Sequence, residues 1–157
     1  MKLLFLDIDG VLNNHYSNPV TLCCGITDYC VDNLNDIIEE TDCQIVLISA
    51  WRYMILAGAM TVSGFEYLLQ THGVNCHNRI IGYTDRDEAA PTRADLVLRW
   101  IRDHSYERMP YVIVDDLDLG YSTKSLPFVK TDGQMGLVHK DVNEIIKILN
   151  GGGSCFK

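Results

Sequence analysis

Two carboxylates near the start of the sequence are spaced so that both can point at one ligand. Asp7 and Asp9 are separated by a single residue and followed directly by Gly10. Close carboxylates repel each other, so that one takes up a proton or both share a cation. A glycine lets the backbone turn so that its N–H groups face an anion. The pattern therefore indicates a site for an anion and a shared cation, and hard oxygen ligands with a phosphate nearby favour Mg²⁺ as that cation.

A second group of acids follows another hydrophobic run. Asp115, Asp116 and Asp118 come directly after the segment YVIV. One aspartate after a strand is usually a turn-former or a helix cap, but acids after two buried strands are hard to explain structurally. The carboxyl ends of parallel strands border the crevice where open α/β sheets bind their ligands. The two acidic groups are therefore predicted to form one site.

Three other polar residues are candidates for holding an anion. Ser49 ends the run QIVLIS, and Arg93 follows the predicted helix cap Thr92. A cation in the first turn opposes the helix dipole, which is tolerable when it holds an anion beside that helix end. Arg52 lies three residues after Ser49 and could reach a phosphate or the rest of a substrate; a solvated arginine is the alternative.

Short apolar runs alternate with amphipathic stretches along the chain, which is typical of an α/β fold with a mostly parallel sheet. Continuous apolar runs suit strands buried on both faces. Five strands are predicted, at 2–7, 44–49, 79–83, 111–115 and 127–131. Helical spacing of apolar residues predicts helices around 31–38, 65–69, 96–101 and 142–149.

Helix boundaries are also marked in the sequence. Ser63, Thr92 and Asp141 each precede an acid by three residues, the pattern of an N-cap with an acidic third position. Gly73 and Gly151 stand where left-handed C-caps are expected. The apolar run from Tyr53 to Met60 is predicted to be a buried helix, with a lid or recognition surface over the site as the alternative.

Composition limits the classes of protein that fit. The 157 residues include 13 Lys+Arg and 21 Asp+Glu, for a net charge of −8, and 47% are hydrophobic. We expect one domain over 1–150, a flexible tail over 151–157, no membrane-spanning segment and a cytoplasmic location. The acidic charge argues against an extended nucleic-acid surface, although not against binding a single terminal phosphate.

The six cysteines lack the CxxC pairs of zinc ribbons and redox motifs. They are expected to be reduced thiols in the core or at the surface. A metal site is the alternative, which nothing in the spacing requires; its ligands would come from Cys23, Cys24 and Cys30 with His15 or His77.

The order of these motifs resembles the haloacid dehalogenase (HAD) superfamily of phosphohydrolases over nearly the whole chain. The motifs are DIDGVL, a strand ending in Ser49, Arg93 at the start of a helix, and VIVDD. In detail, ISAWR and VDDLD followed by FVKTDGQMGL resemble the small HAD domains of bacterial and phage proteins and of RNA-repair polyproteins. The resemblance implies a Rossmann-like three-layer sandwich with five central strands and little or no cap.

The resemblance also implies roles for the candidate residues. Asp7 would be the nucleophile that forms an aspartyl-phosphate, and Asp9 the general acid and base. Mg²⁺ would be held by Asp7, the backbone carbonyl of Asp9 and Asp116. Asp115 would lie next to these ligands without being the preferred carboxylate ligand of the pair.

The phosphate would be bound by Ser49 and by Arg93, which stands where the family has lysine or arginine. Lys124 or Lys130 could replace Arg93 as the phosphate clamp. Val11 stands where the family motif has threonine, which removes a hydroxyl but no ligand.

A site without a cap suits a phosphate at the end of something large, such as a nucleic-acid terminus or a phosphoprotein, or a substrate completed by an oligomer partner. The predicted activity is Mg²⁺-dependent phosphomonoester hydrolysis. A non-catalytic module that binds Mg²⁺ or a phosphorylated partner is the first alternative, and Asp9 argues against it because binding alone needs no second acid. A phosphotransferase or phosphomutase would use the same residues.

Overall fold

The computed structural model describes residues 1–14, 25–85 and 92–151. Its centre is a sheet of five strands in the order β3-β2-β1-β4-β5, in which every neighbouring pair is parallel. The strands are β1 (Leu3–Leu6), β2 (Gln44–Leu47), β3 (Ile80–Tyr83), β4 (Tyr111–Asp115) and β5 (Phe128–Lys130). Each lies within its predicted segment, so the five-stranded α/β fold is confirmed.

Five helices accompany the sheet in the described residues. They are α1 (Asp28–Thr41), α2 (Arg52–Leu56), α3 (Val62–Thr71), α4 (Arg93–Asp103) and α5 (His139–Leu149). Side chains of α1, α3 and α5 belong to the core on one face of the sheet, and those of α4 to the core on the other. This is the three-layer arrangement that the sequence analysis predicted.

The alternation of side chains along β1 explains why both faces are covered. Leu4 and Leu6 join the core of α1 and α5, whereas Leu3 and Phe5 join the core of α4. All four residues are at most 1% exposed. A strand that is apolar at every position is stable only between two apolar layers, which fixes β1 in the middle of the sheet.

The helix starts agree with the sequence prediction at one of three positions. Thr92 caps α4, and its Oγ1 accepts the N–H of Asp95 at 3.2 Å. Thr61, not Ser63, caps α3, with Oγ1 accepting the N–H of Gly64 at 3.0 Å. Asp141 lies inside α5, where its carboxylate accepts the N–H of Val138 at 3.2 Å.

These two predictions were wrong because the helices start earlier: the N-cap Thr61 lies two residues before Ser63, and the N-cap Val138 lies three residues before Asp141. Gly73 and Gly151 do follow α3 and α5 with φ of 89° and 83°, as expected for residues after a helix end.

The segment from Tyr53 to Met60 is not a buried helix, so that prediction was wrong. Helix α2 ends at Leu56, and 57–59 are exposed turns. The exposed fractions of Tyr53 and Leu56 are 42% and 38%. Because every position of this run is apolar, its sequence has no periodicity by which a buried helix could be told from a short exposed one.

Some predictions fall on residues that the structure does not describe. They concern His15, Cys23, Cys24, Cys155 and the tail after Gly151. Cys30, Cys43 and Cys76 are buried free thiols, as predicted. Among the described helices, none has the length and apolar character required to cross a bilayer.

Candidate active site

The carboxyl end of β1 places Asp7 under the surface and turns the chain immediately after it. The Asp7 side chain is 8% exposed, and its backbone N–H donates to the carbonyl of Val114 at 3.0 Å. The turn that follows is closed by the Ile8 carbonyl, which accepts the N–H groups of Val11 and Leu12. Gly10 supplies the positive φ of 77° that this turn needs.

The N–H of Gly10 was predicted to face a phosphate. In the structure it donates to Oδ1 of Asn13 at 2.8 Å. The Asn13 amide group in turn donates to Oδ1 of Asp9 at 2.7 Å. The loop after β1 therefore closes on itself through Asn13, and the half-buried Asp9 carboxylate is tied to it.

The end of β4 places two further carboxylates beside Asp7. Asp115 is fully buried, and its Oδ1 accepts the N–H of Leu117 at 2.9 Å. Its Oδ2 accepts the hydroxyl of Tyr121 at 2.9 Å and a guanidinium N–H of Arg93 at 3.0 Å. Asp115 is thus held by donors on both oxygens.

Asp116 lies in a space left by two glycines. A Cβ added at Gly10 would lie 2.4 Å from Cγ of Asp116, and one at Gly133 would lie 2.7 Å from Oδ2 of Asp116. Real Cβ atoms do not approach other atoms so closely, so any side chain at either position would displace this carboxylate. The segment carrying Gly133 is anchored nearby, because Oγ1 of Thr131 donates to the carbonyl of Gly10 at 2.8 Å.

Arg93 joins the two acidic groups. Its Nη1 lies 3.0 Å from Oδ2 of Asp115 and 3.4 Å from Oδ1 of Asp7. Burial lowers the pKa of Arg93, but the two carboxylates outweigh this effect and the net pKa is raised. Arg93 is the first residue of α4, so the helix start that Thr92 defines delivers a fixed positive charge to the site.

The electrostatic balance around Asp7 is unfavourable to its ionised form. Burial raises the pKa of the Asp7 carboxyl from 3.8 to about 7, and the charge of Asp115 adds more to this rise than Arg93 removes. Carboxylate oxygens of Asp7, Asp115 and Asp116 lie within 4.8 Å of one another. A divalent cation would relieve this repulsion, and the hard oxygen donors are those that Mg²⁺ prefers. The residues present therefore fit the magnesium that the sequence analysis predicted.

Ser49 and Arg52 lie at the end of β2. Ser49 is fully buried, and its Oγ accepts the N–H of Trp51 at 3.3 Å. Arg52 is only 2% exposed, so the alternative of a solvated side chain was wrong. Its guanidinium donates to the carbonyls of Ile48, Ser49 and Thr84 at 2.6, 2.7 and 2.9 Å.

Arg52 therefore links the segments that follow β2 and β3 through hydrogen bonds to their backbone carbonyls. Its predicted contact with phosphate stays a prediction, as does the contact predicted for Ser49.

The two lysines considered as replacements for Arg93 lie elsewhere. Nζ of Lys124 pairs with Oδ1 of Asp95, in the first turn of α4, at 2.9 Å. Lys130 is exposed at the end of β5. Of the three cations considered, Arg93 is the one with a described contact to Asp7.

Four residues with contacts in the site were missed by the sequence analysis. The indole N–H of Trp51 donates to Oδ2 of Asp9 at 3.0 Å, and Asn13 binds the other oxygen of the same carboxylate. Tyr121 holds Asp115, and Gly133 makes room for Asp116. The available signal was proximity in sequence, since Asn13 and Trp51 stand four and two residues after predicted site residues. Gly133 lies in the segment FVKTDGQMGL, which carries the family resemblance but gives this glycine no role, and nothing comparable marks Tyr121.

Comparison with known protein families agrees with this geometry. The family described as the HAD domain in Swiss Army Knife RNA repair proteins matches residues 3–142. The chain belongs to this family. The match includes every site residue described above, and it makes the chain a HAD-type domain of the phosphohydrolase superfamily. No curated protein and no solved structure matches the chain.

Proposed function

We propose that the protein is a Mg²⁺-dependent phosphomonoesterase that works through an aspartyl-phosphate on Asp7. The observation that carries the proposal is the meeting of Asp7, Asp115, Asp116 and Arg93 at one edge of the sheet. Three close carboxylates beside one guanidinium can bind a divalent cation and a phosphate together. Burial and the charge of Asp115 raise the pKa of Asp7 to about 7, and carboxyl groups with such raised pKa values are concentrated at functional sites.

The proposed reaction has two steps, each using the same pair of acids. In the first, a carboxylate oxygen of Asp7 attacks phosphorus, the bond to the leaving oxygen breaks, and Asp9 gives that oxygen its proton. In the second, water attacks the phosphorus of phospho-Asp7 and gives a proton to Asp9. The bond between phosphorus and the Asp7 oxygen breaks, which releases phosphate and restores both side chains.

Magnesium would be held by Asp7, the backbone carbonyl of Asp9 and Asp116, and would supply charge neutralisation for the attack of one anion on another. Asp115 is the weaker candidate for a ligand, because Leu117, Tyr121 and Arg93 already donate to its oxygens. Arg93 neutralises the non-bridging phosphate oxygens, and the hydroxyl of Ser49 donates to the same group.

The proposed substrate is a phosphate at the end of an RNA chain. The description of the family as a domain of RNA repair proteins supports this choice. The net charge of −8 is compatible with contact to one terminal nucleotide and unfavourable for a long nucleic-acid surface.

Hydrolysis of p-nitrophenyl phosphate with and without Mg²⁺ tests the proposed function. We expect metal-dependent turnover by the wild type and loss of at least about 1,000-fold in Asp7→Asn, because the amide keeps the shape but is a poor nucleophile. The control is Asp103→Asn, the same exchange at a carboxylate that is 56% exposed at the far end of α4. Retained activity in Asp7→Asn would refute the mechanism.

A folded wild type that binds Mg²⁺ without turnover of this ester or of 3′- and 5′-phosphorylated oligoribonucleotides would favour the non-catalytic binding module instead. Preference for one oligoribonucleotide end identifies the substrate. Transfer of phosphate to an added alcohol in place of water would identify a phosphotransferase.

A further inference from the structure

We propose that Trp51 is a positioning residue for the reaction, which with Asn13 holds the Asp9 carboxylate in the orientation needed for proton transfer. The inference rests on the proposed function, since it concerns how the general acid of that reaction is held. It goes beyond that function because neither residue was assigned a role by motif.

Both oxygens of the Asp9 carboxylate have a neutral donor. The indole N–H of Trp51 donates to Oδ2 at 3.0 Å, and the amide of Asn13 donates to Oδ1 at 2.7 Å. The orientation of that amide is fixed, because its own oxygen accepts the N–H of Gly10 at 2.8 Å. Because each oxygen has its own donor, the two hydrogen bonds restrict the orientation of the carboxylate as well as its position.

Trp51 is itself rigid, which is what a positioning residue requires. It is 9% exposed and part of the core formed with α3. Its ring meets that of Phe65 edge to face, with centroids 6.0 Å apart and an interplanar angle of 89°. Its backbone N–H is also engaged with Oγ of Ser49 at 3.3 Å. The packing against Phe65 and the backbone hydrogen bond to Ser49 therefore both restrict the position of Trp51.

An indole suits this role for a chemical reason. Its N–H donates but cannot accept, so it cannot take the proton that Asp9 must carry. Each carboxylate oxygen has two acceptor positions, and the donor on each occupies only one of them. The remaining position is free to carry the proton toward the leaving oxygen in the first step and to receive it from water in the second. Asp9 is half-buried on a turn, so without these donors its side chain would sample other rotamers.

The test compares two esters of nearly the same size whose leaving groups differ in basicity. The p-nitrophenolate ion leaves readily without a proton, whereas phenolate needs one. General acid catalysis contributes roughly 100- to 10,000-fold, so Asp9→Asn should lower kcat/KM for phenyl phosphate about 100-fold more than for p-nitrophenyl phosphate. Trp51→Phe keeps Asp9 but releases it, and should lower kcat/KM for phenyl phosphate about 10-fold more than for p-nitrophenyl phosphate.

The chain supplies a matched control. Trp100 is the other tryptophan, is 7% exposed, and packs edge to face on Phe5 at 5.6 Å between centroids. Trp100→Phe makes the same change in the core on the other face of the sheet, and the ratio of the two kcat/KM values should stay at the wild-type value. Asn13→Ala is the second variant, since it removes the other donor and leaves the Trp51 packing in place.

The outcomes separate this inference from the proposed function. A Trp51→Phe enzyme that lowers both kcat/KM values by one factor, or neither, overturns the positioning role and leaves the proposed function intact. If Trp51→Phe does not fold, the ratio in Asn13→Ala decides in the same way. A wild type that hydrolyses neither ester and neither the 3′- nor the 5′-phosphorylated oligoribonucleotide overturns the proposed function, and this inference with it.

Discussion

Replacing Asp7 by asparagine should stabilise the metal-free protein at alkaline pH while removing its activity. The folded pKa of Asp7 is about 7 and its ordinary value is 3.8. Between pH 3.8 and about pH 7 the folded protein keeps a proton on Asp7 that the unfolded chain has lost. The free energy of unfolding therefore falls as the pH rises through this interval, and the loss is complete above about pH 7.

The size of the effect follows from the same two values. Each pH unit corresponds to about 1.4 kcal/mol, so the interval from 3.8 to about 7 costs the wild type about 4 kcal/mol. Asparagine carries no charge at any pH and avoids this cost. Relaxation and entry of water when the carboxylate ionises reduce the difference, so we expect Asp7→Asn to be more stable by about 2 to 4 kcal/mol at pH 8 and about equally stable at pH 4.

Urea denaturation in the presence of a chelator measures this effect directly. The free energies of unfolding of both proteins are compared at about pH 4 and about pH 8, so that pH effects of groups that do not interact with Asp7 cancel in the double difference. Asp103→Asn should show no such pH-dependent difference, because its carboxylate is exposed. A stability difference between wild type and Asp7→Asn that is the same at both pH values would refute the reasoning. Added Mg²⁺ should stabilise the wild type at pH 8 by mass action.

Further predictions concern the other charged groups of the site. Asp116→Ala should raise the Mg²⁺ concentration needed for half-maximal activity at least about 10-fold, with a smaller change in substrate KM; an unchanged metal titration would exclude Asp116 as a ligand. Arg93→Ala should raise the phosphate-ester KM about 10- to 100-fold. Lys124→Ala removes a partly exposed ion pair and should leave both the kinetics and the free energy of unfolding nearly unchanged. Arg52→Met should lower the free energy of unfolding by about 3 kcal/mol or more, because it leaves buried carbonyls without donors. A folded Arg52→Lys enzyme with normal stability and a raised KM would instead indicate that Arg52 contacts phosphate.

The sequence was sufficient to predict the strands and the edge at which the acids meet. Continuous apolar runs ending in aspartate have one physical solution in a sheet covered on both faces, and β1 and β4 adopt it. The same reasoning could not find Tyr121 or Gly133, because what matters there is a three-dimensional contact with Asp115 and Asp116.

Arg52 is a residue that the sequence did mark as a candidate but whose contacts the sequence could not predict. A charged residue beside a predicted phosphate site suggests binding, but its donors are directed to backbone carbonyls that no sequence pattern reveals. The prediction that the segment from Tyr53 to Met60 is a buried helix was also wrong, since hydrophobicity alone does not determine whether a short segment is buried or exposed.

The position of β1 has a consequence for the kinetics of folding. The first strand of this chain is the middle strand of the sheet, and Leu3 pairs with Gln44 on one side and with Tyr111 on the other. Contacts between residues far apart in sequence form slowly, because a long loop must close before any stabilising contact is gained. The acids of β4 join Asp7 only when the second, longer loop has closed. In a refolding chain the proposed magnesium site should therefore form only after β4 has paired with β1, and the rate at which metal binding appears would report that pairing.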